Sequence, residues 1–314
     1  MNPDNRVKKE NLKFRRIKEK ERMFFYESAF ESTRDFSENI IGIDFAVLKK
    51  ICMINRFLLG VPFKILAKNM KDFFIEYEGQ VVAGYTMIFD KKTDSYELGN
   101  LFTRPNFQGR GIGNIVMKKI IKDYGHKTIK LSVNNTNEAA LHLYKKYGFI
   151  EDYSIKEYFQ EIPLEVDSNL DGYKIRLATK EDLTKLTRII NEIPEMNNLA
   201  KKYKKTFGKT QKKKLRLENH LPAVIEKNGE ILGIGRAFWS KGAPETAQIA
   251  AVAILPEVKE IYPYFISFLT KEAEKYDLKK FSWTNNQRTK IFAEYIEPFL
   301  NEPSRIGYVM SRNS

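Results

Sequence analysis

Residues 105–116 read PNFQGRGIGNIV, and the interpretation of the whole chain depends on this stretch. A strand pattern, LGNLFT at 98–103, comes before it, and Pro105 ends that strand. A glycine-rich turn from a strand into a helix exposes backbone N–H groups at the positive end of the helix dipole, which suits phosphate. The helix that follows is predicted from an apolar face repeating every four residues, formed by Ile112, Val116, Ile120 and Tyr124.

The glycine spacing excludes two common phosphate-binding loops. No Lys-Ser or Lys-Thr pair follows, as a Walker A loop requires. The G-x-G-x-G spacing of Gly109, Gly111 and Gly113 also differs from the dinucleotide fingerprint G-x-G-x-x-G. Taken alone, the stretch fits an ordinary turn before a helix equally well.

A second segment, LSVNNTNEAALHLYKKYGFIE at 131–151, changes this balance. The two segments together resemble the GNAT superfamily of CoA-dependent N-acyltransferases. That family's motif Gln/Arg-x-x-Gly-x-Gly/Ala is matched by Gln108, Gly111 and Gly113. Its second motif, Asn-x-x-Ala-x-x-x-Tyr-x-x-x-Gly-Phe, is matched by Asn137, Ala140, Tyr144, Gly148 and Phe149. The resemblance covers roughly residues 13–163 and, more faintly, the second half of the chain.

The chain also resembles itself. Four segments recur in the same order, offset by 150 to 161 residues: 13–22, 73–85, 101–107 and 131–137 match 174–183, 223–235, 252–258 and 281–287. We therefore predict two domains, 1–165 and 166–314, with the junction near 161–172. Strands, hairpins and helices alternate in each, so each copy is expected to be an α/β (α+β) GNAT-like domain with a mixed, mostly antiparallel sheet flanked by helices. Residues 20–70 predict two helices.

The resemblance assigns roles to the residues that match it. In this family the loop amides bind the pyrophosphate of CoA, and the preceding strand pairs with the pantetheine arm like an added strand. The cofactor-binding positions implied in this way are Leu101, Phe102, Thr103, Gln108, Gly109, Arg110, Gly111, Ile112, Gly113 and Asn137. The expected co-substrate is acetyl-CoA or another acyl-CoA, and no metal is expected.

Tyr144 is the implied catalytic acid. It would protonate the departing thiolate of CoA after a neutral amine attacks the thioester directly. A tyrosine with a pKa of about 10 suits this role, because the thiolate it meets is also basic. Two plainer interpretations stay open: Tyr144 as a half-buried aromatic residue on an amphipathic helix, and Asn137 as a helix cap only. His142 is not expected to be catalytic, because it lies on a different helix face from Tyr144.

The general base is the least determined part of the site. Many family members that act on peptide N-termini carry Glu in the strand position held here by Ser132. Glu97 is the candidate replacement, since strand alternation would place Glu97, Gly99, Leu101 and Thr103 on one face. A solvated charge at the start of a strand is the equally simple alternative.

The second copy departs from the family pattern where the first copy matches it. Its loop reads KEIYPY at 259–264, where no glycine remains, Pro263 removes one amide donor and Glu260 would repel phosphate. Glu294 stands in the position of Tyr144. We therefore expect an N-acyltransferase, with acetyl as the expected acyl group, whose N-terminal half acts on an unidentified amine of a small molecule or protein. The alternative is a non-catalytic acyl-CoA sensor or partner-binding module.

The charge balance of the chain predicts attraction to polyanions. Lys and Arg number 54 against 40 Asp and Glu, a net charge of +14. Nine of these basic residues lie between 201 and 216, together with Tyr203 and Phe207. The run is compatible with RNA or an acidic partner, but a solvated helix face or loop is the simpler interpretation.

Cysteine and histidine usage argues against a metal centre or an internal disulfide. Cys52 is the single cysteine, and His126, His142 and His220 lie far apart in the sequence. The charged N-terminus predicts no signal peptide. The most apolar stretch, 51–66, contains Asn, Arg and Lys and is too short to span a bilayer. These features predict a cytoplasmic protein.

Overall fold

The structure is a computed structural model that describes residues 7–32, 69–167, 172–179, 181–185, 189, 192, 218–240, 245–285 and 290–314. It contains two compact units. The first comprises Met1–Ser154 together with Gly307–Ser314, and the second comprises Ile155–Ile306. The domain limits 1–165 and 166–314 stay a prediction; by contacts, the end of the chain from Gly307 onward belongs to the first unit.

The first unit is a mixed sheet flanked by helices. Its elements are β1 (Leu12–Arg16), α1 (Arg22–Ser32), β2 (Met70–Tyr77), β3 (Gln80–Asp90), β4 (Ser95–Thr103), α2 (Ile112–Tyr124), β5 (Ile129–Asn134), α3 (Glu138–Lys146), the start of β6 (Ile150–Glu161) and β12 (Arg305–Arg312) from Gly307 onward. The antiparallel pairs are β1–β2, β2–β3, β3–β4 and β5–β12, and β4 and β5 are parallel.

The second unit repeats this order. Its elements are the remainder of β6, β7 (Lys174–Leu177), α4 (Asp182–Lys185), β8 (Glu218–Lys227), β9 (Glu230–Ser240), β10 (Thr246–Ile254), α5 (Tyr262–Glu274), β11 (Lys280–Asn285) and α6 (Lys290–Ile296). The antiparallel pairs are β7–β8, β8–β9, β9–β10 and β6–β11, and β10 and β11 are parallel. The predicted fold class is confirmed in both units.

Matching turns form the central hairpins of the two units. In β2–β3 the turn residues Glu78 and Gly79 both have positive φ, at 49° and 77°. In β8–β9 the same positions are Asn228 and Gly229, at 52° and 80°. A two-residue turn of this kind matches the twist of the strands it joins, so both hairpins predicted from the sequence are confirmed.

An ion cluster is also repeated. Arg15 on β1 donates to Glu76 and, through two nitrogens at 2.8 Å each, to Glu21. Arg176 on β7 makes the equivalent bonds to Glu226 and, at 2.7 and 2.8 Å, to Asp182. The two clusters fasten the first strand of each unit to its second strand and to the segment that follows, as expected of two copies of one fold.

Two cores cover the faces of the first sheet. On one face α2 buries the apolar residues predicted for it, Ile112, Val116, Ile120 and Tyr124. On the other, Phe25 of α1 packs against Phe74 and Phe102, with ring centroids 5.5 Å apart in each pair. Gly84 on β3 leaves room for this second cluster, because a Cβ there would lie 2.6 Å from the ring of Phe102.

Several predictions fall outside the described residues. They concern the single cysteine Cys52, the apolar stretch 51–66, the second helix expected before residue 70 and the basic run 201–216. None of the helices in the described ranges has the length and apolar character needed to cross a membrane.

Candidate functional site

The predicted cofactor positions and Tyr144 line one cavity in the first unit. Its volume is about 1360 Å³, and its walls are the end of α1, the end of β4, the loop 105–111, the first turn of α2, and α3. The predicted residues in its lining are Leu101, Phe102, Thr103, Gln108, Gly109, Arg110, Gly111, Ile112, Gly113, Asn137 and Tyr144. Glu97 is exposed and is not part of this lining.

The wall along β4 is a strand edge that β5 does not cover. The parallel pairing of β4 with β5 ends at Leu98↔Leu131. β12 pairs with Ile129–Asn134 on the other edge of β5, so among the described strands none pairs with residues 99–103 on that side. The edge Leu101–Thr103 is therefore open to an extended ligand, as the resemblance implies.

A bulge lies at the start of this open edge. Between Gly84↔Phe102 and Thr86↔Gly99, two residues of β4 face one residue of β3, and Asn100 has φ of 47°. The bulge shifts the alternation by one residue. The prediction that Glu97, Gly99, Leu101 and Thr103 share one face is therefore wrong.

The loop after β4 presents backbone groups to the cavity. Gly109 and Gly111 have φ of 75° and 83°, a region that favours glycine, and no atom lies within 4 Å of a Cβ built on Gly111. Gly111 is the N-cap of α2 and makes no side-chain cap, so the first N–H groups of the helix have no partner within it. Such amides at the positive end of a helix dipole are favourable to an anion.

Neighbouring segments hold the loop in place. The amide of Val7 donates to the carbonyl of Arg110 at 3.1 Å. The Gln108 side chain donates to the carbonyl of Thr103 at 3.1 Å, which ties the loop to the end of β4. The Arg110 guanidinium lies 5.2 Å from the centre of the Phe107 ring. Val7 is a contribution that no sequence motif indicated.

Asn137 and α3 form the opposite wall. The Asn137 side chain accepts a hydrogen bond from the amide of Ala140 at 3.1 Å, so it caps α3. Tyr147 donates to the carbonyl of Asn114 at 3.0 Å and Lys146 donates to the Asn114 side chain at 2.8 Å. These two bonds fix α3 to the first turn of α2.

Tyr144 is the buried titratable group of the cavity. Only 7% of it is exposed, and its ring packs on Phe149 with centroids 5.8 Å apart. Burial raises the pKa of Tyr144 to about 12, because the charged form is poorly solvated there. Its hydroxyl has no hydrogen-bond partner among the described residues and is free to meet a ligand.

Sequence reasoning missed the contribution of α1. Glu31 and Ser32, at the end of this helix, line the same cavity. Ser32 donates to the carbonyl of Ser28 at 2.7 Å, while Glu31 is exposed. The sequence holds no motif in α1, so only the packing of α1 on the sheet reveals these residues. No group of His, Cys, Asp and Glu that could hold a metal occurs in the described part of the chain.

The second unit fills the corresponding region with side chains. Pro256–Ile261 form a short 3-10 turn, and residues 256–264 include no positive φ. Tyr262 and Pro263, at the start of α5, are buried. The Tyr262 hydroxyl accepts a hydrogen bond from Trp283 at 2.7 Å, and its ring stacks on Phe292 at 4.6 Å. The glycine-rich loop of the first unit thus has no equivalent here.

Comparison with known proteins agrees with these features. Residues 52–149 match the acetyltransferase (GNAT) family. An uncharacterized N-acetyltransferase of Methanocaldococcus jannaschii is 32% identical over 75 residues, which are 23% of this chain and 33% of that protein. The matched region thus spans about one third of the length of this relative.

Solved structures share the fold at low sequence identity. A tandem GNAT protein from the clavulanic acid biosynthesis pathway has a TM-score of 0.61 and 12% identity over 96% of this chain and 98% of that one. A GNAT-family acetyltransferase from Colwellia psychrerythraea has a TM-score of 0.55 and 14% identity over 96% and 100%. At such identities the likeness concerns the fold alone.

Proposed function

We propose that this chain, which carries a domain of the acetyltransferase (GNAT) family, transfers an acyl group from acyl-CoA to an amine by direct attack. Acetyl is the acyl group that we expect, and the first unit is the one that we propose to be catalytic. The observation that carries the proposal is that one cavity is lined by an open strand edge, a glycine-rich loop at the start of a helix and Tyr144.

The cavity suits each part of an acyl-CoA. The free amides at Gly111–Gly113 and the positive end of α2 suit the pyrophosphate. The edge Leu101–Thr103 suits the pantetheine arm, whose amides can pair with it as a strand would. The open space above Gly111 allows close approach of the phosphates to the backbone.

The reaction needs two proton movements in addition to attack. A neutral amine forms a C–N bond to the thioester carbon, the C–S bond breaks, and the amine loses a proton. Tyr144 supplies a proton to the departing sulfur. Because burial raises the pKa of Tyr144 to about 12, this residue stays protonated at neutral pH and is able to donate.

Two carboxylates, Glu97 and Glu31, are the candidates for the residue that accepts the amine proton. Glu97 remains the sequence-based proposal, although it lies outside the described lining of the cavity, whereas Glu31 lies within it. Each is replaced by glutamine in the full chain, and kcat is measured against pH. We expect Glu31→Gln to lower kcat at neutral pH and Glu97→Gln to leave it within about twofold; the reverse result would assign the role to Glu97.

The central test is release of thiol from acetyl-CoA in the presence of a panel of amines, peptides and amino sugars. We expect turnover with at least one amine, and calorimetric titration with CoA should give one site per chain. Binding without turnover on any acceptor would favour an acyl-CoA sensor instead. Two equivalent CoA sites would contradict the assignment to the first unit.

A further inference from the structure

A hydrogen-bond network formed by the side chains of Asp72, Thr86 and Asn100 ends at the bulge in β4. Thr86 on β3 donates to the Asp72 carboxylate on β2 at 2.7 Å. The hydroxyl of Thr86 in turn accepts from the Asn100 side chain at 3.2 Å. Arg22 of α1 donates to the other oxygen of Asp72 at 3.2 Å. Because Thr86 has one proton and gives it to Asp72, its remaining acceptor capacity is directed at Asn100.

The network is buried at one end, and its other end, Asn100, directly precedes the open edge of β4. Asp72 and Thr86 are 4% and 0% exposed. Burial raises the pKa of Asp72, while the hydrogen bond from Thr86 and the charge of Arg22 act in the opposite direction. Asn100 holds φ of 47° inside the bulge, directly before the open edge Leu101–Thr103.

The acyl end of the ligand is expected at this bulge. The anion loop follows Thr103, so an arm that leaves the loop and pairs with the β4 edge runs from Thr103 back toward Leu101. Its far end, which carries the thioester, then reaches the bulge. Backbone N–H groups of β4 at this point would polarise the acyl carbonyl, and such donors act only when their direction is fixed.

The second unit shows that the bulge forms without this hydrogen-bond network. Counted from the hairpin turns, Pro222 and Arg236 hold the positions of Asp72 and Thr86, and they face each other in the same register. The register shift between Ala250 and Ala253 repeats the bulge, with Ala251 in the place of Asn100. The fold thus keeps the bulge in both units, while the side-chain link occurs in the unit with the anion loop.

We infer that Asp72, Thr86 and Asn100 are positioning residues that fix the bulge of β4 against the acyl end of the bound acyl-CoA. The inference rests on the proposed function. Arg22 anchors Asp72, the buried end of the network, to α1. None of the three residues is required to touch the reacting atoms; they act through the backbone of β4.

The test compares Thr86→Val with Thr86→Ser in the full chain. Valine keeps the shape and removes the hydroxyl, whereas serine keeps the hydroxyl and loses a methyl group. With the fastest amine of the panel, we expect T86V to lower kcat about tenfold with little change in KM for acetyl-CoA, and T86S to stay near wild type. A role in packing alone would instead harm T86S as much as T86V.

A second pair of variants removes the amide at the bulge. Asn100→Gly keeps the positive φ accessible and deletes the side chain, and Asn228→Gly makes the same change at a positive φ in the second unit. N100G is expected to reproduce the kcat loss of T86V, and N228G to leave kcat unchanged. This pair keeps the inference testable even if T86V folds poorly.

An infrared measurement separates the inference from the proposed function. The carbonyl stretch of bound, carbonyl-labelled acetyl-CoA requires no amine, and we expect T86V and N100G to move it toward the free value while T86S does not. An unchanged band and an unchanged kcat in both variants would overturn the inference and leave the acyltransferase standing. No turnover by wild type with any amine, together with a band that responds to T86V, would overturn the function and uphold the positioning role.

Discussion

The two units of this chain share their strand order, hairpin turns, bulges and Arg-centred ion clusters, but within the described residues the parts that suit acyl-CoA occur in the first unit alone. The first has Gly109 and Gly111 with positive φ before α2. The second has the buried pair Tyr262 and Pro263 at the start of α5. The comparison teaches that the features common to both units maintain the fold, and that the differences concentrate where a ligand would lie.

A size exchange next to the open edge illustrates the same separation. In the first unit Gly84 faces Phe102, and in the second Ile234 faces Ala253 at the equivalent register position. Each facing pair therefore contains one large and one small residue, but the large residue comes from β4 in the first unit and from β9 in the second. In the first unit the large residue comes from β4, whose edge lines the cavity, so the ring of Phe102 anchors that edge beneath α1.

The largest expected effect comes from the buried tyrosines. Tyr144→Phe removes the proposed acid and should lower kcat for thiol release by about 100-fold or more, the usual worth of a general acid. Tyr262→Phe is the matched control: it removes the acceptor of the Trp283 hydrogen bond and should lower stability without lowering kcat. Steady-state kinetics and thermal unfolding of both variants make the comparison. Equal kcat in Y144F and wild type would exclude Tyr144 as the acid.

The next effect concerns the packing under the open edge. Gly84→Ala places a methyl group 2.6 Å from the Phe102 ring and 2.9 Å from the Phe25 ring, so the cluster must shift. Overpacking of this kind costs about 1–3 kcal/mol of the free energy of unfolding. Urea unfolding measures it. The double variant with Phe102→Ala should recover part of this loss relative to the sum of the single changes; strict additivity would show that the two residues are not coupled.

Two glycines with the same φ sharpen the comparison further. Gly111 and Gly229 have φ of 83° and 80°, and a Cβ at either meets no atom within 4 Å. Alanine should therefore strain both backbones by a similar amount. Only Gly111→Ala should also weaken CoA binding, by about tenfold, because its methyl group occupies the space proposed for phosphate. Calorimetric titration tests this, and equal CoA affinity in the two variants would count against the anion loop.

How much of this the sequence predicts depends on the range of the interactions involved. The loop, the apolar face of α2 and the two hairpins follow from local patterns, and all of them appear in the structure. The bulge at Asn100 does not, since it depends on register with β3, and it invalidates simple alternation from Glu97 onward. Two further features depend on elements that are distant in sequence, and no motif marks them. They are the place of Glu31 in the cavity wall and the hydrogen-bond network of Asp72, Thr86 and Asn100.

The smallest expected effect concerns the Arg-centred ion clusters, which both units contain. Hydrogen bonds from Arg15 lower the pKa of Glu21 to about 2, and hydrogen bonds from Arg176 lower the pKa of Asp182 to about 2. In unfolded chains Asp and Glu titrate near about 4. Because the folded values are lower, each pair contributes stability that is present above about pH 4 and is lost as the pH falls toward 2.

Replacing either arginine with methionine should therefore flatten the decline of stability between pH 4 and pH 2. The effect should be larger for Arg176→Met, because the Asp182 side chain is 4% exposed and that of Glu21 is 24% exposed. Urea unfolding at several pH values measures it, with Lys119→Met, which breaks an exposed pair within α2, as the control. A decline as steep as that of wild type in both variants would show that these clusters, although present in each unit, do not contribute to the loss of stability at low pH.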